Sequence, residues 1–149
     1  MSYPVGEISC KLDSKGRLMM PSEFKEQLGE EAEAGFVMRP GLFNKCLDLY
    51  TRKDWDEVQA KFHASLNAFD PKDVAVMRKF NAGARFAKLD ASGRLQIPKE
   101  LMDKGYVVKE VVITSATTKM EIWDKTLYEE ALNSIDDELY LEILKDKLK

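Results

Sequence analysis

Histidine occurs once, at His63, and cysteine twice, at Cys10 and Cys46, in a chain of 149 residues. A structural zinc site takes about four nitrogen or sulfur ligands in closely spaced pairs, so this inventory predicts no metal site. No phosphate-binding loop and no Gly-rich dinucleotide turn are present either, and neither a cofactor nor a small-molecule substrate is expected. Two isolated thiols in an intracellular chain stay reduced and pack as small hydrophobes. The apolar runs are short, Val111-Val112-Ile113 being typical, against about 20 residues for a bilayer span, so no membrane association is expected. Met1 to Glu7 combines no basic start with a following apolar stretch, which predicts no secretory signal and a cytoplasmic location.

Hydrophobic residues make up 44% and charged residues 33% of the chain, the balance of a globular protein. The length suits one ordinary domain, or two very small units sharing a core. Net charge is −3, but seven acids against three lysines in residues 129–149 put −4 there and leave +1 on residues 1–128. The acidity sits in the tail and does not oppose a nucleic-acid partner for the body.

An internal repeat organises the sequence. Lys11-Leu12-Asp13-Ser14-Lys15-Gly16-Arg17-Leu18-Met19-Met20-Pro21-Ser22-Glu23 returns 77 residues later as Lys88-Leu89-Asp90-Ala91-Ser92-Gly93-Arg94-Leu95-Gln96-Ile97-Pro98-Lys99-Glu100, with eight of thirteen positions identical. Leu47-Asp48-Leu49-Tyr50 answers Met120-Glu121-Ile122-Trp123 in the same way.

Local physics assigns elements to each copy. Ile8, Cys10 and Leu12 alternate with polar residues, which predicts a half-buried strand. Asp13 and Asp90 open tight turns that close on Gly16 and Gly93, where a positive φ is easily taken. The return strands point Leu18, Met20, Leu95 and Ile97 inward and Arg17, Met19, Arg94 and Gln96 outward. Pro21 and Pro98 suit the first turn of short helices that end near Gly29 and Gly105. Phe36–Arg39 and Val111–Thr114 read as further strands. Thr51, with Asp54 three residues on, predicts a helix with Trp55, Val58, Phe62 and Leu66 on one side. Asp70-Pro71 starts another, with Val74, Met77 and Phe80 inward and Gly83 as its stop. Ser134 to Lys149 predicts an amphipathic helix with Ile135, Leu139 and Ile143 on one face, read as docking on its own chain, with a partner contact as the sharper alternative.

The paired Asp-x-x-Gly-Arg-Leu-x-x-Pro segments, together with Met120-Glu121-Ile122-Trp123-Asp124 and a helical linker between the repeats, resemble the MraZ family over nearly the whole chain. The resemblance implies an α+β, β-rich fold: two tandem AbrB-like repeats forming one pseudo-twofold swapped-hairpin β-barrel with peripheral helices. The expected organisation is a first repeat at 7–54, a helical linker at 55–83, a second repeat at 84–127 and an acidic helical tail at 128–149. The family implies a nucleoid-associated transcriptional regulator, usually a repressor of the division and cell-wall gene cluster. Such a regulator binds short G-rich direct repeats in double-stranded promoter DNA as a ring-shaped homo-oligomer.

Carried over by position, the DNA-binding candidates are Asp13, Lys15, Gly16 and Arg17 in the first motif and Asp90, Gly93 and Arg94 in the second. Lys11, Arg85 and Lys88 are added as phosphate contacts. A two-stranded ribbon fits the major groove, and an arginine on it can donate twice to guanine O6 and N7. Ser92 replaces the lysine in the second motif, so the first is expected to contact DNA more fully. The alternative is architectural: Asp13 ion-pairs Arg17 within its own turn. Two other functions compete. Asp13 and Asp90 could share a proton as a catalytic dyad, although the flanking lysines and arginines favour two ionised carboxylates; His63, on a solvent-facing helical position, is a weaker base. A ring-forming scaffold or antitoxin-like module, in which DNA binding is secondary, is the stronger alternative.

Overall fold

The computed structural model describes residues 4–116 and 119–149. In the first half, β1 (Glu7–Lys11), β2 (Arg17–Met19), β3 (Phe36–Pro40) and β4 (Leu47–Thr51) are joined by α1 (Ser22–Leu28) and α2 (Glu30–Ala34). Two helices follow, α3 (Arg52–Ser65) and α4 (Pro71–Asn81). The second half carries β5 (Arg85–Ala87), β6 (Arg94–Gln96), α5 (Lys99–Asp103), β7 (Glu110–Ser115) and β8 (Met120–Asp124), then α6 (Lys125–Leu132) and α7 (Asp137–Lys147).

The strands form an antiparallel six-stranded sheet in the order β1-β7-β8-β4-β3-β5 and a separate two-stranded ribbon, β2-β6. The order is palindromic when β1 to β4 are exchanged with β5 to β8, so the sequence repeat is a pseudo-twofold in space. Its axis passes between β4 and β8, where Asp48 faces Glu121, and between β2 and β6, where Leu18 faces Leu95. The first strand of each half pairs with the third strand of the other: Ile8 with Ile113, and Val37 with Phe86. Among the described residues, hydrogen bonding does not close the strands into a barrel. The return strands are three residues long, each begins after a glycine turn, and Pro21 or Pro98, which has no N–H to donate, soon follows.

Inward side chains from both halves make one core. Leu18, Phe24, Phe36, Met38, Leu49, Leu95, Ile97, Ile113 and Ile122 are fully buried in it. Ile8 and Cys10 pack on it half-buried, as the alternation in β1 requires; Cys46 is buried, and both thiols are free. The outer face of β3 and β4 is covered by α3 and α4. Trp55 meets Tyr50 edge-on at 5.3 Å and stacks on Phe80 at 5.9 Å. Thr51 caps α3 by accepting from the Asp54 N–H, and Asp70 caps α4 through Lys72.

Four sequence expectations change. Pro21 and Pro98 stand one position earlier than expected, as N-caps, because an extended ψ lets the carbonyl of each open the first helical turn. Gly29 ends α1 but also starts α2, a five-residue helix too short for periodicity to reveal. The last helix is capped by Asp136 rather than opened at Ser134. It also does not dock on its own chain: every residue from Leu132 to Lys149 is exposed.

Candidate nucleic-acid interface

Each Asp-to-Arg turn is closed by one carboxylate. Asp13 Oδ1 accepts the backbone N–H groups of Lys15 and Arg17, both at 2.9 Å, and Asp90 Oδ1 accepts those of Ser92 and Arg94 at the same distance. The turns then need a left-handed residue, supplied by Gly16 at φ 75° and Gly93 at φ 83°. The second carboxylate oxygen holds the arginine: Arg17 Nε donates to Asp13 Oδ2 at 2.7 Å, and Arg94 Nε to Asp90 Oδ2 at 3.1 Å. Both carboxyls lie below the ordinary range, first because each accepts the N–H of its arginine's own peptide.

The β2-β6 ribbon brings the two turns together. Arg17 pairs with Gln96 and Met19 with Arg94, so these four side chains share the ribbon's outer face while Leu18 and Leu95 anchor the inner one. Met20 N–H donates to the Gly93 carbonyl, and Ile97 N–H to the Gly16 carbonyl, each at 3.0 Å. Gln96 Nε2 donates to the Lys15 carbonyl at 2.8 Å, fastening the first turn to the opposite strand. The two arginines lie diagonally across the ribbon. Each guanidinium is held through its Nε. Among the described residues, the terminal amino groups of Arg17 hydrogen-bond to no protein atom.

The ion pair that the architectural reading expects between Asp13 and Arg17 is present, at 2.7 Å. A proton-sharing dyad is contradicted. The fold does bring Asp13 and Asp90 to one place, but it puts the Arg94 guanidinium against both, with Nη1 3.8 Å from Asp13 Oδ2. Two hydrogen-bonded carboxylates with an arginine against them stay ionised. His63 is exposed on α3.

Lys15 is exposed on the first turn and Lys88 is exposed just after β5. Lys11 lies 4.0 Å from Glu110 across the β1-β7 pair, and Arg85 ion-pairs with Glu100 on α5. These two cations are partly neutralised by partners that sequence spacing did not reveal. Lys25 was missed altogether. A Cβ built on Gly93 would lie 2.9 Å from its Nζ, so α1 lays an ammonium over the very turn in which Ser92 replaces lysine. The equivalent neighbour at Gly16 is Met102 of α5, whose sulfur would meet such a Cβ at 2.5 Å. Lys25 and Met102 are themselves 77 residues apart, so aligning the flanking helices of the repeat was the available signal.

A second polar cluster lies on the sheet's far face, at the β4-β8 junction. Asp48, 1% exposed, meets Arg39 Nη1 at 3.8 Å and Lys119 Nζ at 3.7 Å. Cys46 Sγ lies 3.9 Å from both Asp48 Oδ1 and Glu121 Oε2. These three residues could together offer atoms to a cation, but Arg39 and Lys119 already lie against Asp48. Burial pushes Asp48 up to about 6, against the pull of Lys119. Burial also raises the Cys46 thiol, and the neighbouring carboxylates add to it. The signal here was an acid inside an apolar strand, answered by an acid at the equivalent repeat position.

Known proteins resemble this chain along most of its length. The family model described as "MraZ protein, putative antitoxin-like" matches residues 5–79 and again 80–142. A protein of Flavobacterium psychrophilum named Transcriptional regulator MraZ is 46% identical over 133 residues, covering 89% of this chain and 84% of that one. The protein of the same name from Christiangramia forsetii is 40% identical over 134 residues, 90% and 86% of the two chains. That from Acetivibrio thermocellus is 36% identical over 144 residues, 96% and 94%. With two consecutive model matches, relatives covered along most of their length and a pseudo-twofold that realises the repeat in space, this chain belongs to the MraZ family.

Proposed function

We propose that this protein is a sequence-specific DNA-binding transcriptional regulator. It acts as a repressor of the division and cell-wall gene cluster, binds short G-rich direct repeats as a ring-shaped homo-oligomer, and works in the cytoplasm at the nucleoid. The observation that carries the reading is the pair Arg17 and Arg94, diagonal on the outer face of one two-stranded ribbon, each oriented through Nε by its own turn aspartate. A ribbon of that width enters the major groove, and a guanidinium held by Nε presents two amino groups to guanine O6 and N7. Asp13 and Asp90 orient; Gly16 and Gly93 let the turns close; Lys15 and Lys88, with Lys11 and Arg85, face phosphates and set register without reading sequence. The names of the relatives support regulation of transcription rather than catalysis.

In this reading the ribbon and the six-stranded sheet are the two parts of one swapped-hairpin barrel, with residues 7–54 and 84–127 as its halves. Residues 55–83 are the linker and 128–149 an acidic appendage. One chain presents a single ribbon, and its body is close to neutral, so avidity from repeated subunits over repeated sites supplies the hold. The direct test is a gel shift against the chain's own upstream DNA, beside a scrambled duplex, over a range of salt. Specific binding that weakens steeply with salt is the expected result. A stable assembly that ignores both duplexes would favour the other reading, a ring-forming scaffold or antitoxin-like module. The feature that favours this second reading is the carboxylate already paired to each arginine.

A further inference from the structure

From Leu132 to Lys149 every residue is exposed, and α7 carries Leu139, Tyr140, Ile143 and Leu144 at i, i+1, i+4 and i+5. A helix of eleven residues is marginal in water on propensity alone and holds its shape by burying an apolar face. Elsewhere on the molecule a groove of about 680 Å³ runs between α4 and the loop joining β3 to β4. Its rim is apolar and unsatisfied: Leu42 and Val76 are about half exposed and Phe43 is 86% exposed. Contiguous exposed apolar surface of this kind marks an interaction site. Every charged side chain lining the groove is basic, namely Arg39, Lys79 and Lys119. Arg39 and Lys119 share Asp48 beneath the floor, which leaves Lys79 exposed at the rim.

We propose that α7 of one copy lies, apolar face down, in this groove of a second copy. Charge favours this occupant: between Asp136 and Lys149 there are five acids against three lysines, so this net-acidic segment is attracted by an apolar groove whose charged lining residues are all cations. The mode is an amphipathic helix in an apolar groove, and α7 is about 16 Å long at 1.5 Å per residue. Because helix and groove are different surfaces, the contact is compatible with a head-to-tail run of copies, the kind that closes a ring. The proposal deepens the ring assembly given above and rests on it.

The experiment uses the full chain and light scattering on a sizing column. Wild type is expected at a multiple of the 17.0 kDa chain mass, while Ile143→Glu on α7 and Phe43→Asp in the groove each run at the single-chain mass. Their equimolar mixture should recover about twice that mass, because one chain keeps an intact groove and the other an intact helix. Lys79→Glu should weaken assembly by about tenfold, and adding Glu142→Lys should restore it. Thermal unfolding checks each variant, and Lys79→Glu, an exposed position, stands in for Phe43→Asp if that chain does not fold. If both surface variants keep the wild-type mass, or the mixture stays at the single-chain mass, the helix-in-groove contact is wrong while a ring through other surfaces survives. A wild type that runs as a single chain at every concentration overturns the contact and the ring together.

Discussion

Arg94 Nη1 lies 3.8 Å from Asp13 Oδ2, in the other repeat, while its Nε donates to Asp90 in its own. One guanidinium thus ties the two turns together. Arg17 makes its contact with its own aspartate at 2.7 Å. The two halves are therefore close to equivalent without being identical.

Arg17→Ala should weaken binding to the cognate repeat by about 1–3 kcal/mol per contact and flatten the preference for guanine. Melting temperature and assembly mass should stay within error, since the Asp13 turn keeps its bonds to the Lys15 and Arg17 peptides, which alanine also supplies. Arg94→Ala should lose less, its guanidinium being shared between Asp90 and Asp13. Full cognate affinity in Arg17→Ala, or loss only together with folding, would make the arginine architectural.

Lys15 and Lys25 should act alike on opposite turns. Lys15→Ala and Lys25→Ala should each weaken cognate and scrambled DNA equally and lower the salt slope by about one per phosphate contact. Replacing Met102 by lysine should raise the slope, since it puts beside Gly16 the cation that Lys25 supplies beside Gly93. A Lys25→Ala slope equal to wild type would remove Lys25 from the interface.

Asp48 predicts a pH effect. Its carboxyl is raised to about 6 in the fold from an ordinary 3.8, so between those values the native state holds a proton that the unfolded chain has released. This group's contribution is then fully present below the ordinary 3.8 and is lost as pH rises through about 6. The stability difference between wild type and Asp48→Asn, followed by denaturant unfolding, should change by roughly 3 kcal/mol from about pH 3 to about pH 7. Arg39, Lys119, Glu121 and Cys46 face the group and are common to both chains. Parallel pH profiles would place the titration elsewhere.

A fragment of residues 1–66 should not fold as a monomer. It keeps the β3-β4 pair but loses β7 from β1, β6 from β2, β5 from β3 and β8 from β4, leaving open edges that pair with other chains. Dimers or aggregates are expected in sedimentation. A concentration-independent cooperative melt of a monomer would contradict the shared core.

Sequence alone determined whatever depends on near neighbours in the chain. Period-two alternation fixed which face of β1 and β2 is buried. The Asp-x-x-Gly-Arg spacing fixed the turns, since an aspartate can reach the N–H groups two and four residues on only if glycine takes the left-handed position. The 77-residue repeat revealed the duplication. Tertiary structure decided which strands pair, because the β1-β7 and β3-β5 ladders join residues whose patterns suit several partners. It also decided that Glu110 and Glu100 would occupy Lys11 and Arg85, and that Lys25 would lie over Gly93. Asp48 and Glu121 face one another, buried or half-buried, only because β4 and β8 meet at the pseudo-twofold axis. Amphipathicity gave α7 an apolar face, but a face does not name its partner; that depends on what surface lies within reach, and within this chain none covers it.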